Sequence, residues 1–367
     1  MTGRCHACSF GDVSLIQRRA WLDVTSRSEE ACNVATQRDV ARAAGVSLAV
    51  VSAVVNGTSH TRMRESTRTR VLRAMQQLGY QPNHAARSLR LNHTGMIAMI
   101  LNKLDNPVYG PLRQGVYEAA AEHGATVLLG DAETMRSGSQ FLTRLLSQGT
   151  VDGILIRGEG LLDDDVMAEL RSHPKPILIL EHAPDHPWID IDDRRAGEIA
   201  TRFLVNLRHR HIVFIGGSGY ISQQRYLGYQ QAMDSAGLAP APHLATGFGE
   251  QAGVDGLRQA MQAATAPTAI VVNNIMSAVG VLAAAHDLGI AIPDQLSVIG
   301  IHDVDLMQHL RPAVTAVRMP MYQLGWAGVE ALYDLIAGRP GAGGVITDPE
   351  PELVIRDSAT ALNPPGI

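Results

Sequence analysis

The first chemistry legible in this chain lies between Ser47 and Asn56. Leu48, Ala49, Ser52, Ala53 and Asn56 recur at spacings of three and four, so on a helix they share one face, with Ser47 at its start. That face is small and uncharged. Its hydroxyls and amide can hydrogen-bond base edges, while Leu48, Ala49 and Ala53 are limited to shape and to contact with thymine methyl groups. Val51, Val54 and Val55 form the opposite, apolar face and must pack inward. A second element has to support them, and the residues just before provide one. Thr36 can N-cap a helix in which Val40, Ala41 and Ala44 share a face, Gly45 permits a tight turn, and Ser47 can cap the helix that follows. Two short helices joined in this way have helix-turn-helix spacing, with the second directed at the major groove of double-stranded DNA.

Charge divides the chain in the same place. Residues 31–93 hold nine Arg against Asp39 and Glu65, a net of +7; residues 1–30 balance at four and four, and the overall −5 leaves −12 for residues 94–367. A basic head on an acidic body suits a module that docks on phosphate while its carrier stays dispersed. Lys103 and Lys175 are the only lysines, so cationic contacts fall to guanidinium groups, which can grip phosphate bidentately. A further helix follows the pair, with Val71, Leu72, Met75 and Leu78 as its expected apolar face.

Beyond His93 the pattern changes. Met96–Leu101, Thr126–Leu129, Gly153–Ile156, Ile177–Leu180, Ile212–Ile215, Ala269–Val272 and Leu296–Ile299 are short apolar runs, most of them separated by helix-length stretches. The alternation argues for parallel strands covered by helices on both faces. Seven or more strands predict an α/β core of two doubly wound parallel-sheet lobes, a class whose ligands sit between the lobes.

The ordered string DVARAAGVS, VS, VVNG, TRTRVLRAMQQLGYQPN and AARSL resembles the headpiece of the lactose/galactose-repressor (LacI/GalR) family of transcription regulators, and the resemblance extends over roughly residues 35–360. It implies an all-α helix-turn-helix headpiece at 34–82, a hinge helix and linker at 83–93, and a periplasmic-binding-protein-like core at 94–360 for effector binding and dimerisation. Lobe 1 is expected at about 94–190 plus 319–337, and lobe 2 at about 191–318 plus 338–360. Residues 1–33 are expected to be a disordered extension. In the hinge, Leu89 matches the family's leucine that wedges into the minor groove, with Ala85 and Ala86 beside it. A helix this short is marginal in water, and an apolar wedge kinks DNA, so the resemblance couples hinge order to operator binding.

In the core the resemblance places Tyr109 facing the cleft, Arg225 as the guanidinium that clamps an effector, Phe248 as an aromatic that stacks on it, and Asn273 and Asn274 where the family usually shows Asn-Asp. There are two departures. Ile301 and His302 replace the usual Tyr-Asp, removing a carboxylate that often binds sugar hydroxyls, so the expected effector widens from a sugar to a small anionic metabolite. Ala53 stands where the family normally has Arg after the recognition-helix serine.

Catalytic patterns are incomplete. GGSG at 216–219 follows a strand but lacks a full G-x-G-x-x-G or Walker pattern, His302 and Asp303 form an isolated pair, and no G-x-S-x-G elbow or metal-spaced His cluster occurs. Cys5, Cys8 and Cys32 all precede the head, and CHAC at 5–8 has no second ligand pair. No enzyme activity, cofactor or metal is expected. No apolar run approaches the roughly 20 residues of a bilayer span, and the first 30 residues lack a signal peptide's apolar segment, which predicts a cytoplasmic protein with no membrane partner. Together these features predict a homodimeric, ligand-responsive repressor on a near-palindromic operator. The alternative is a solute-binding protein with the same core and no operator-specific DNA binding.

Overall fold

The computed structural model describes residues 35–56, 63–81, 93–158, 162–341 and 343–362. The chain divides into two compact units, Met1–Arg87 and Ser88–Ile367. The expected extension at 1–33 and the hinge positions Ala85, Ala86 and Leu89 lie outside the described residues.

In the first unit α1 (Gln37–Ala44), α2 (Leu48–Asn56) and α3 (Glu65–Gln77) follow one another. Thr36 starts α1 with a reciprocal cap: its Oγ1 accepts from the Asp39 N–H at 3.4 Å, and the Asp39 carboxylate accepts from the Thr36 N–H at 3.0 Å. Gly45 ends α1 at φ 61°, a left-handed conformation that a side chain would strain. Val40, Ala41, Ala44, Val51, Val71, Ala74 and Tyr80 form the core, with Val50, Val54, Val55 and Met75 packed around it. The inward face of α3 is thus Val71, Ala74 and Met75. Leu72 and Leu78, expected inside, are instead 48% and 40% exposed. Leu72 sits about 100° around the helix from Val71, whereas the residues three and four further on share its face; small Ala74 is the true core position.

The second unit begins with a lobe built from β1 (Met96–Leu101), α4 (Tyr109–Glu122), β2 (Thr126–Asp131), α5 (Gln140–Leu146), β3 (Gly153–Arg157), α6 (Asp164–Ser172) and β4 (Ile177–Ile179). Its strands are parallel in the order β2-β1-β3-β4. In β1, Ile97, Met99 and Leu101 enter the apolar cluster that contains Leu112 and Val116 of α4, while Ala98 and Ile100 enter the one that contains Leu142 of α5 and Val166 of α6. Both faces are covered, which is why the run MIAMIL shows no polar alternation.

β5 (Ile189–Ile191) leads to the second lobe: α7 (Asp193–Asn206), β6 (Ile212–Gly216), α8 (Tyr220–Ser235), β7 (Leu244–Ala245), α9 (Glu250–Met261), β8 (Ala269–Val272), α10 (Ile275–Asp287), β9 (Ser297–Ile301) and β10 (Thr315–Arg318). The chain then returns to pack α11 (Met321–Ile336) on α4, pairs β11 (Gly344–Ile346) with β5, and ends with β12 (Glu352–Val354) antiparallel to β10. The second sheet runs β12-β10-β9-β8-β6-β7.

The seven apolar runs read from the sequence are all strands. The lobe allotment differs at one point: 338–346 was expected in lobe 2, but β11 pairs with β5, which is bridged to β4 through Trp188 and Ile179. Val345 and Ile346 cover an edge that β5 would otherwise leave open, so the last crossing between lobes follows Ile346. Among the described residues no helix is long and apolar enough to cross a membrane, and no group of three His, Cys, Asp or Glu side chains is placed to hold a metal ion.

Candidate DNA-reading face and effector site

In the head, the Ser47 carbonyl accepts from the N–H groups of Val50 and Val51, opening α2. Ser47, Leu48 and Ala49 are exposed, Leu48 at 44%, while Ser52 and Ala53 are half-buried on the same side. Asn56 is the last residue of α2; its side chain lies outside the described residues. The Thr36 hydroxyl is exposed and engaged in its own cap, donating to Asp39 at 2.6 Å. The valines therefore hold the helix while its small residues face out, an arrangement that leaves the outward face shallow and without charge.

In the core, the polar side chains collect where parallel strands end, the position at which this class of fold binds ligands. Arg157 ends β3, Glu181 and His182 follow β4, Gly217 to Tyr220 follow β6, Asn273 and Asn274 follow β8, and His302 follows β9. Arg225, on the second turn of α8, joins several of them. Its Nε donates to Asp193 Oδ1 at 2.7 Å, Nη1 to the Asn273 carbonyl at 2.5 Å, and Nη2 to His302 Nε2 at 2.9 Å. Asp193 comes within reach because α7 and α8 meet backbone to backbone: a Cβ at Gly197 would stand 1.9 Å from the Arg225 carbonyl oxygen, and one at Gly228 would stand 1.9 Å from that of Arg194.

The cluster is withdrawn from the surface, with Asp193, Arg225, Asn273 and His302 all at least nine-tenths buried. Burial first, then the Arg225 and Arg157 guanidiniums, hold His302 well below the ordinary imidazole range. Because Arg225 donates to it, Nε2 must be unprotonated, and His302 is a neutral imidazole with its proton on Nδ1. Its backbone lies in the left-handed region at φ 69°, a strain of about 1 kcal/mol that packing must override. Asp190, on β5, faces the Arg157 guanidinium at 3.8 Å and accepts from the His182 and Ile191 N–H groups. Burial, and then the neighbouring Asp193 carboxylate, push Asp190 up to about 7 against the opposing pull of Arg157. Both side-chain amide atoms of Asn273, Asp193 Oδ2 and Ser222 Oγ are buried without a hydrogen-bond partner. Such atoms are costly unless something completes them.

The remaining candidates are placed differently. Asn274 caps α10, its Oδ1 accepting from the Ser277 N–H at 2.9 Å. Phe248 is 44% exposed and its ring lies against Gly217. With Tyr220, His182, His186 and Glu181 it lines a cavity of about 300 Å³ between the lobes. Tyr109, expected to face this cleft, is the first residue of α4 and is fully buried, in the apolar cluster that also holds Leu101, Leu112 and Val116. Asp303 is held by Arg318 and Arg356, each at 2.8 Å, so it forms no acid–base dyad with His302. Asp190, Asp193, Arg157, Ser222 and Tyr220 were not singled out from the sequence. Their signal was positional: Arg157 ends a strand, Asp193, Ser222 and Tyr220 lie in the first turn of the helix after one, and Asp190 sits within the short strand β5.

The comparisons with known proteins agree with this division. Residues 36–83 match the model of bacterial regulatory proteins of the lacI family, and residues 201–359 match that of a periplasmic binding protein-like domain. The HTH-type transcriptional repressor PurR of Photobacterium profundum is 31% identical over 337 residues, covering 90% of this chain and all of that protein. A solved complex of the transcriptional regulator CelR with cellobiose is 26% identical with a TM-score of 0.65, covering 89% of this chain and 100% of the other. The fold also matches that of the lac repressor dimer bound to operator and the anti-inducer ONPF, with a TM-score of 0.75 and 24% identity over 90% of this chain and 100% of the other. A headpiece of this kind removes the alternative of a solute-binding protein without DNA binding. The chain belongs to the lacI family of bacterial regulatory proteins, ligand-responsive transcription repressors with a helix-turn-helix head and a periplasmic-binding-protein-like core.

Proposed function

We propose that this repressor acts in the cytoplasm as a homodimer, setting two α2 helices into the major grooves of a near-palindromic operator while a small molecule held between the lobes changes the affinity of the heads. Leu48 and Ala49, exposed on a basic head, support the DNA arm, with Ser47, Ser52 and Asn56 as its hydrogen-bonding residues and Ala85, Ala86 and Leu89 as its hinge contacts. The homodimer has support in Tyr117 of α4 and Leu128 and Leu129 of the edge strand β2, exposed large apolar residues on lobe 1.

The observation that carries the effector arm is the buried cluster around Arg225, where Asn273 and Asp193 retain polar atoms with no partner in the protein. Arg225, Asn273, Asn274, His302 and Phe248 are its proposed contacts, with Tyr109 supporting the wall from behind. Of the two effector classes, the uncharged, hydroxyl-rich one fits better. Asp164, Glu181 and Asp185 line the 300 Å³ cavity, and its Arg171 is already paired to Asp185 at 3.6 Å. A second opening of about 790 Å³ is lined by Asp303, Asp305, Glu350 and Glu352, with Arg318 paired to Asp303 and Glu352. Acidic mouths disfavour an anionic metabolite and leave acceptors for hydroxyl donors. A thermal-shift screen of neutral sugars against their phosphorylated and carboxylated forms, followed by operator binding with each hit, tests this. Hits confined to the anionic forms would refute the assignment.

A further inference from the structure

One contact between the lobes stands apart from the buried cluster. His182 lies in the loop after β4 in lobe 1, and Tyr220 is the first residue of α8 in lobe 2. Their rings stack at 4.6 Å with 16° between planes, and Trp188 closes on the edge of His182 at 4.7 Å and 71°. The loop that carries His182 is fixed from below: its own N–H donates to Asp190 at 3.1 Å, and Glu181 accepts from the Gly158 N–H at 3.2 Å. Tyr220 opens α8 directly after a glycine-rich turn. It is 47% exposed, follows Gly217, Ser218 and Gly219, and meets lobe 1 through its ring. Both rings line the 300 Å³ cavity.

We propose that His182 and Tyr220 form an aromatic latch that holds the two lobes closed over this cavity. A molecule in the cavity meets both rings, so the latch sets the closed population on which that molecule acts. A stack of this kind shifts an open-to-closed ratio by roughly two- to tenfold. That is enough to move a balanced equilibrium and too little to unfold a lobe. Its functional consequence rests on the proposal that the cleft is the effector site; the latch itself does not.

The test uses the full-length protein with no small molecule added, so that failure of the latch is distinguishable from failure of the effector assignment. Tyr220→Ala and His182→Ala should each raise hydrogen–deuterium exchange in residues 179–190 and 217–224 by roughly two- to tenfold and enlarge the radius of gyration of the core in X-ray scattering. The melting temperature should stay nearly unchanged. Tyr220→Phe keeps the ring and should behave as the parent protein. Unchanged exchange in both alanine variants would overturn the proposal, and so would a Tyr220→Phe protein as open as Tyr220→Ala, because stacking would then not be the contact that closes the lobes.

Discussion

Arg225 donates to His302 across 2.9 Å, and through this contact and those to Asp193 and Asn273 a single guanidinium ties together the starts of α7 and α8 and the ends of β8 and β9. The residue matched to an effector clamp is therefore also a structural centre of lobe 2, and its removal has two consequences that must be measured apart.

Arg225→Ala should lower the stability of the core by about 3–5 kcal/mol in urea denaturation, because it leaves the Asp193 carboxylate buried without a counter-charge. Asp193→Asn in the same protein should recover part of that loss. Equal stability of the parent and Arg225→Ala would mean that the carboxylate is not buried beside it.

The pH dependence has two opposing parts. Asp190 is raised from 3.8 to about 7, so its contribution to stability is complete below about pH 4 and is lost as pH rises towards 7. His302 is held below 6.5, so its contribution is complete above that value and is lost as pH falls below it. Asp190→Asn removes only the first. The parent should therefore lose stability relative to this variant as pH rises from about 4 to about 7, by an amount on the order of a few kcal/mol. Parallel urea midpoints across that range would place Asp190 in an ordinary carboxylate environment.

Gly228 tests how α7 positions the cluster. An added methyl at Gly228→Ala would meet the Arg194 carbonyl oxygen at 1.9 Å, and separating the helices should cost about 1–3 kcal/mol. Gly219→Ala, with open space around its Cβ position, should be tolerated and serves as the control. Equal melting temperatures for Gly228→Ala and the parent would show that the helices can separate without cost.

The sequence carried much of this, for identifiable reasons. Long parallel strands covered on both faces leave apolar runs such as MIAMIL and AIVV, and the capped helix-turn-helix leaves Thr36, Gly45 and the valines of α2. β5, β7, β11 and β12 are two or three residues long, too short for any periodicity, so the pairing of β11 with β5 was not legible. Arg225, Asn273 and His302 were legible through family resemblance and do meet in space. Asp193 was not, because an acid at a helix start reads equally well as a cap until the fold shows what it faces; nor was Asp190, because it sits in the middle of a three-residue strand too short to show a pattern. Tyr109 was legible as an aromatic at the start of a helix after a strand, but its position says nothing about which way the ring turns.

Base preference tests the recognition helix. Leu48, Ala49 and Ala53 offer no hydrogen-bonding side chain, so Ala53→Arg should introduce a preference for guanine at the matching half-site position by about 1–3 kcal/mol in a selection from randomised duplexes. An unchanged preferred sequence would show that residue 53, half-buried in α2, does not reach a base.

The most direct measurement is an anisotropy titration of the full-length protein against the duplex recovered by selection from a randomised pool, and against the same bases scrambled, at two salt concentrations. The selected duplex should be near-palindromic and bind at least roughly 10³-fold tighter than the scrambled one, with both affinities falling as salt rises. Failure of the selection to converge, or equal binding of the two duplexes, would contradict operator-specific recognition by this head.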